Sequence, residues 1–197
     1  NCTALEKLDV PSSVSELGRW ILENTAVKTF TIPDGVSEIP ASCFYGSAIT
    51  AMVVPASVTS IGAWAFENPY YDNGNKSYLT SVTFTGTGVT EIPEGCFIYQ
   101  KSLSSINLPE GVTTIGADAF NQCQISALTL PSSLEVIGQR AFSNNGITSL
   151  VIPDKVKRID FSAFAYNDLE TIDLPASIEV LASTAFHWES TALKTVI

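Results

Sequence analysis

Leu169-Glu-Thr-Ile-Asp-Leu-Pro-Ala-Ser-Ile-Glu-Val-Leu-Ala-Ser-Thr-Ala-Phe186 is the stretch that decides the fold, because its pattern can be laid over nearly every other part of the chain. A first apolar triplet closed by proline is followed by a second apolar pair and then by Ala-Phe. The closing prolines stand at Pro11, Pro33, Pro55, Pro109, Pro131, Pro153 and Pro175, evenly spaced except between Pro55 and Pro109. In that gap Leu79-Thr-Ser-Val82-Thr-Phe84-Thr85 keeps the pattern with Thr85 in the proline slot, which makes eight units, and Leu193 and Val196 begin a ninth. A fixed period in this range signals a solenoid, a propeller or an array.

The slots within a unit are distinguishable. In triplets such as Ile49/Met52/Val54, Leu103/Ile106/Leu108 and Ile147/Leu150/Ile152 the last two members alternate in and out, as a half-buried strand requires. The second pair, for example Val112/Ile115 or Leu134/Ile137, is often followed by glycine (Gly18, Gly62, Gly116, Gly138). Glycine there predicts a corner that needs positive φ or a close backbone approach. The units end in Ala-Phe, as at Ala119-Phe120, or in Cys-Phe at Cys43-Phe44 and Cys96-Phe97, which reads as one helical or 3-10 turn plugging the core.

The pattern L-x-x-I-x-L-P-x-S-V-x-x-I-G-x-x-A-F-x-x-C closely resembles the BspA-like (Treponema pallidum-type) leucine-rich repeat, over essentially all 197 residues. The resemblance implies a right-handed solenoid of about eight 22-residue repeats, with short parallel strands forming a sheet on the concave side. It also implies a protein exported to a bacterial or protist cell surface and involved in adhesion. One departure is visible. The slot after the proline that would carry a ladder-forming asparagine holds Ser13, Gly35, Ser57, Gly111, Ser133, Lys155 and Ser177, so the side-chain amide ladder is expected to be absent.

The unbroken repeat argues for one elongated domain over residues 1–197. Nine stacked strands at about 4.8 Å span about 40 Å. With 20 acidic against 10 basic residues the net charge is −10, which opposes nucleic-acid backbones and anionic lipid. No basic and apolar leader opens the chain, and no apolar run approaches the roughly 20 residues needed to span a bilayer. Cys2 in a tail slot and a C-terminus inside a strand read as the ends of a piece of a longer chain. The four cysteines are expected as buried free thiols, since Cys43 and Cys96 share a slot two units apart and Cys2 and Cys123 lie far from each other.

Function in a repeat protein sits where the pattern is interrupted or on the surface the repeats share. The interval from Phe66 to Leu79 is much longer than the ordinary one, such as Phe44 to Ile49, and the insert at 67–78 carries Tyr70, Tyr71 and Tyr78 among turn-forming residues. Tyrosines with adaptable polar neighbours suit protein or sugar recognition, although they could equally pack back on the solenoid. The second candidate is the outward row of the strands, with Thr31, Val53, Thr83, Asn107, Thr129 and Val151 between Asp9 and Asp173. Such a face is small, nearly uncharged and easily dehydrated; threonine and valine are also simply good strand formers. Trp20 and Trp64 share the slot before Ala-Phe, with Ser42 between them, either covering the turn below or forming an aromatic contact.

Chemistry is poorly represented. The one histidine, His187, lies in the last unit, and no cysteine or histidine pair has zinc spacing. Asp72-Asn73-Gly74-Asn75 lacks the rest of a calcium loop. The glycines form no phosphate-binding motif. Neither a cofactor nor a metal is expected, and the expected function is a non-catalytic binding module of an exported bacterial surface protein. Its partner would be an extracellular or host protein, or a glycan; a spacer without its own ligand is the alternative.

Overall fold

The computed structural model describes residues 2–69 and 77–187 and the backbone of 195–196. Its elements are all short strands: β1 (Glu38–Ile39), β2 (Ala51–Val54), β3 (Ser60–Ile61), β4 (Ser81–Phe84), β5 (Glu91–Ile92), β6 (Ser105–Asn107), β7 (Thr114–Ile115), β8 (Ala127–Thr129), β9 (Val136–Ile137), β10 (Ser149–Val151), β11 (Arg158–Ile159), β12 (Thr171–Asp173), β13 (Val180–Leu181) and β14 (Thr195–Val196). All paired strands are parallel.

From the coil of Pro55 to that of Pro175 each coil contributes one strand before its proline slot and one after it, and the two kinds stack in separate rows. The row after the proline runs without a break as β5-β7-β9-β11-β13, with β1-β3 before it. The row before the proline is divided into β2-β4, β6-β8 and β10-β12-β14. Ser149 pairs with Thr171, one ordinary period further on, whereas Ala51 pairs with Ser81 across the insert. The register is therefore kept from β2 to β4 with no slip of the in/out alternation, as a period of two demands. Both flanks of the insert are tied to the following coil. The Asn68 side-chain amide donates to the Tyr99 carbonyl at 3.3 Å, and Ser77 bonds Gln100 and Ser102 at 2.7 to 3.1 Å.

Two expected strands are not formed. The segments containing Leu5/Leu8/Val10 and Val27/Phe30/Ile32 join no ladder, although Val27, Phe30 and Ile32 are buried. Leu5, Leu8 and Val10 are only partly buried and pack against the core from its edge.

The third side of the coil corrects the sequence reading. No residue among those described is helical, and the Ala-Phe segment is an arc with alternating hydrogen bonds. Cys43, Tyr45 and Ser47 donate N–H to the carbonyl three residues back, whereas Ser42, Phe44 and Gly46 donate to Ala63, Ala65 and Glu67 of the next coil. A helix would consume every N–H internally; here half of them stitch neighbouring coils together. The alternation goes with left-handed residues at two slots: Trp20, Ser42, Trp64, Gly95, Asp118, Arg140, Ser162 and Thr184, with φ between 52° and 60°, and four residues on Asn24, Gly46, Tyr99, Gln122, Asn144 and Tyr166, with φ between 49° and 64°.

Inside the arcs, Phe44, Phe66, Phe97, Phe120, Phe142, Phe164 and Phe186 form one column with centroids 5.0–5.6 Å apart. Beyond the first pair their planes lie within 9° of parallel. The corner glycines are explained by close approach. A Cβ on Gly116 would come within 2.7 Å of the Glu94 nitrogen, and one on Gly138 within 2.8 Å of the Gly116 carbonyl carbon, whereas Gly18 meets nothing.

The expected absence of a side-chain ladder is also corrected, because the ladder stands three residues after the phenylalanine. Asn145 donates to the Phe120 and Phe142 carbonyls at 2.9 and 3.1 Å and accepts from the Ile125 N–H at 3.0 Å. Asn167 repeats this with Phe142, Phe164 and Ile147. Cys123 supplies a thiol to the Phe97 carbonyl at 3.2 Å, and Gln100 an amide to the Phe66 carbonyl at 2.6 Å. Cys43, Cys96 and Cys123 are free and buried, but Cys2 is exposed, against expectation. Burial pushes the Cys43 and Cys123 thiols up to about 12 and Cys96 upward as well, which leaves them protonated and unreactive.

Candidate functional site: the outward row of the strand face

Thr31, Val53, Thr83, Asn107, Thr129 and Val151 are all exposed, because each sits between two inward-facing neighbours on an alternating segment. Register places Val53 beside Thr83, Asn107 beside Thr129, and Val151 beside Asp173. The second outward row, Ala51, Ser81, Ser105, Ala127, Ser149 and Thr171, is exposed too. Two large apolar side chains stand out on this face, Val53 at 57% and Val151 at 77% exposure.

The face is not uniform. No ladder joins β8 to β10, although the repeat spacing is intact there. An open cleft of about 420 Å³ occupies the seam, lined by Leu128, Thr129, Leu130, Ser149, Leu150 and Val151. Leu128 is only partly buried, whereas Met52, Ile106 and Leu150 in the same slot are buried. On the rim, the Glu110 carboxylate accepts from the backbone N–H and the hydroxyl of Ser132 at 2.9 and 2.7 Å, which holds that corner. Thr129 and Val151 thus meet in a real depression; Leu128, Glu110 and Ser132 have no sequence signal that marks them.

Tyr78 is 38% exposed and stands apart from this row. It lines a hollow of about 260 Å³ with Ala26, Ala48 and Lys28 at the edge where the chain enters the strands. Tyr70 and Tyr71 lie outside the described residues, as do Trp188 and the Asp72–Asn75 run. Trp20 and Trp64 lie on the arc side, at 51% and 38% exposure. Trp64 covers the next coil, since a Cβ on Gly95 would fall within its indole, and the Arg19 guanidinium lies 4.6 Å above the Trp20 ring.

Among the described residues no group of three or more His, Cys, Asp or Glu side chains is placed to hold a metal ion. His187 is exposed, and its carbonyl accepts from the Tyr166 N–H at 2.9 Å.

A stack of 22-residue coils with two parallel strand rows and a phenylalanine column defines a leucine-rich-repeat solenoid. The chain belongs to the BspA type leucine rich repeat family, whose model matches residues 1–75 and 73–193 in six copies. A leucine-rich repeat protein from Bacteroides ovatus is similar in structure, with 24% identity and a TM-score of 0.71 over 95% of this chain and 53% of that one. A leucine rich cell surface protein from Faecalibacterium prausnitzii shares 24% identity at a TM-score of 0.58, over 97% of this chain and 60% of the other. The leucine rich repeat protein of T. pallidum also shares 24% identity, with a TM-score of 0.62 over 80% and 73% of the two chains. The chain therefore spans about half to three fifths of the first two relatives. No curated protein matches it.

Proposed function

We propose that this chain is a non-catalytic binding module of an exported bacterial cell-surface protein, and that it holds an extracellular protein partner on its strand face. The observation that carries this reading is the exposed, nearly uncharged row from Thr31 to Val151, which includes two bare valines and the cleft between β8 and β10. A dehydratable centre with charge confined to the rim is the composition of a protein-recognition surface. Glu110 and Asp173 provide that rim. The family is typically non-catalytic, and a relative described as a cell surface protein supports the placement outside the cell.

The test is an array of immobilised extracellular-matrix and host-surface proteins probed with the parent chain, with Val151→Glu, and with the Thr83→Glu/Asn107→Glu/Thr129→Glu triple variant. A specific partner lost in both variants, with melting temperatures within a degree or two of the parent, supports the module. A partner retained by both but lost in Tyr70→Ser/Tyr71→Ser/Tyr78→Ser would move the site to the insert. Binding to none of the array proteins supports a spacer.

A further inference from the structure

We propose that Trp20 and Trp64 form a two-platform site for an uncharged, extended β-1,4-linked polysaccharide on the arc side of the solenoid, away from the strand face.

Both indoles occupy the same arc slot, two coils apart, with the small, buried Ser42 between them. One coil advances the column by 5.1 Å, measured between the Phe44 and Phe66 rings. The Trp20 and Trp64 backbone slots are therefore separated along the axis by roughly 10 Å, two strand spacings, and two indoles leaning the same way along the column keep that separation. That advance matches alternate pyranose rings of an extended β-1,4 chain, which present flat C–H faces to aromatic rings. The middle sugar then passes over Ser42, where a bulky side chain would lift the chain off its platforms.

A second observation is independent of the spacing. Trp20-Ile-Leu-Glu23 and Trp64-Ala-Phe-Glu67 repeat a Trp-x-x-Glu unit, and the six other arcs carry Tyr, Ile, Asn, Ser, Ala or His in place of the glutamate. The Glu23 and Glu67 N–H groups donate to the Trp20 and Trp64 carbonyls at 3.1 and 3.2 Å, which keeps each glutamate on the same turn of the arc as its tryptophan. Apolar ring plus adjacent hydrogen-bond acceptor is the pairing that a sugar's C–H face and hydroxyls require. The Trp64 indole rests on Gly95, so a side chain at that position would displace it. Arg19 lies against the Trp20 ring; when a sugar takes that face, the guanidinium swings aside and donates to hydroxyls. Two carboxylates in a chain of net charge −10 select against anionic glycans.

The experiment is titration calorimetry of the full chain with cellohexaose, chitohexaose and β-1,4-mannohexaose, using cellobiose and maltohexaose as controls. At least one neutral β-1,4 hexasaccharide is expected to bind, tenfold or more tighter than cellobiose, which is too short to reach both indoles. Trp20→Ala and Trp64→Ala should each weaken it tenfold or more; Trp64→Ala also uncovers Gly95 and lowers the melting temperature, so binding is compared well below both melts, and Trp64→Phe should recover part of the loss. Val151→Glu should leave it unchanged, which separates this site from the strand face. The proposal is overturned if none of the three hexasaccharides binds, if Trp20→Ala/Trp64→Ala binds like the parent, or if curved maltohexaose binds equally well.

Discussion

Arg140 reaches one coil back to Asp118 and closes two parallel hydrogen bonds on its carboxylate, Nε to Oδ1 at 2.8 Å and Nη2 to Oδ2 at 2.6 Å. Both residues sit in a left-handed slot of their arcs, and two coils further along Ser162 and Thr184 bridge the same slot by a hydroxyl–hydroxyl bond at 2.9 Å. Asp118 also accepts from the Asn121 amide at 2.8 Å. The hydrogen bonds to Asp118 raise the Arg140 pKa, burial opposes that, and the guanidinium is charged at any working pH.

Breaking this pair from its two ends should have unequal results. Arg140 is 43% exposed, so Arg140→Ala should cost about 0.5–1 kcal/mol and less in high salt. Asp118→Ala should cost about 1–3 kcal/mol, because it strips a partner from buried Asn121 as well. Urea denaturation at two salt concentrations measures both, and equal losses would contradict this asymmetry.

The side-chain row behind the arcs should be worth more per residue than any surface contact. Asn145→Ala leaves the Ile125 N–H and the Phe120 carbonyl without their partner, an expected loss of about 2–4 kcal/mol. Cys123→Asn should be tolerated or stabilising, since an amide donates to the Phe97 carbonyl more strongly than a thiol. Thermal melts of the two variants give the comparison directly.

Removal of one ring from the middle of the phenylalanine column should be severe. Phe120 is fully buried and stacks on Phe97 and Phe142 at 5.2 and 5.1 Å, so Phe120→Ala should cost about 3–5 kcal/mol. Phe186 is only partly buried and its truncation should cost clearly less. Chemical denaturation curves of the two variants would show the gradient.

Thiol labelling tests the packing without any mutation. Cys2 alone is exposed, so a thiol reagent at pH 8 should modify one cysteine of the native chain and all four after denaturation. Rapid labelling of more than one native thiol would mean that the arcs open.

Glu67 provides the pH test. Burial raises its carboxyl pKa above the ordinary value, so the folded chain holds this proton more tightly than the unfolded one. That residue's contribution is least unfavourable below the unfolded pKa and becomes a penalty as pH rises through the folded pKa. Glu67→Gln should match the parent's melting temperature at pH 4 and exceed it at pH 7, and a gap that narrows over that range would refute the assignment.

The period, the strand row and the insert could all be read from the chain, because hydrophobic alternation survives any choice of polar residues. The exposure of Thr31 through Val151 followed from the same alternation. The left-handed slots were hidden because glycine fills them only twice, at Gly46 and Gly95; elsewhere bonds to the next coil impose that conformation on Ser, Asp, Arg, Tyr and even Trp. The side-chain ladder was hidden because three residue types share it, at Gln100, Cys123, Asn145 and Asn167. The seam between β8 and β10 interrupts no spacing at all, so only the folded geometry reveals it.

The stitched arcs also give the molecule a direction. From Leu22 to Tyr166 every N–H that links one arc to another points toward the later coil, and every carbonyl that receives it points toward the earlier one. Peptide dipoles of about 3.5 D each therefore add along this side and are not cancelled by alternation as in a strand row. The column is polar end to end, positive toward the later coils and negative toward the earlier ones. A coil can extend it at the positive end only by offering carbonyls, and at the negative end only by offering N–H groups, so two copies could continue the arc head to tail but never head to head.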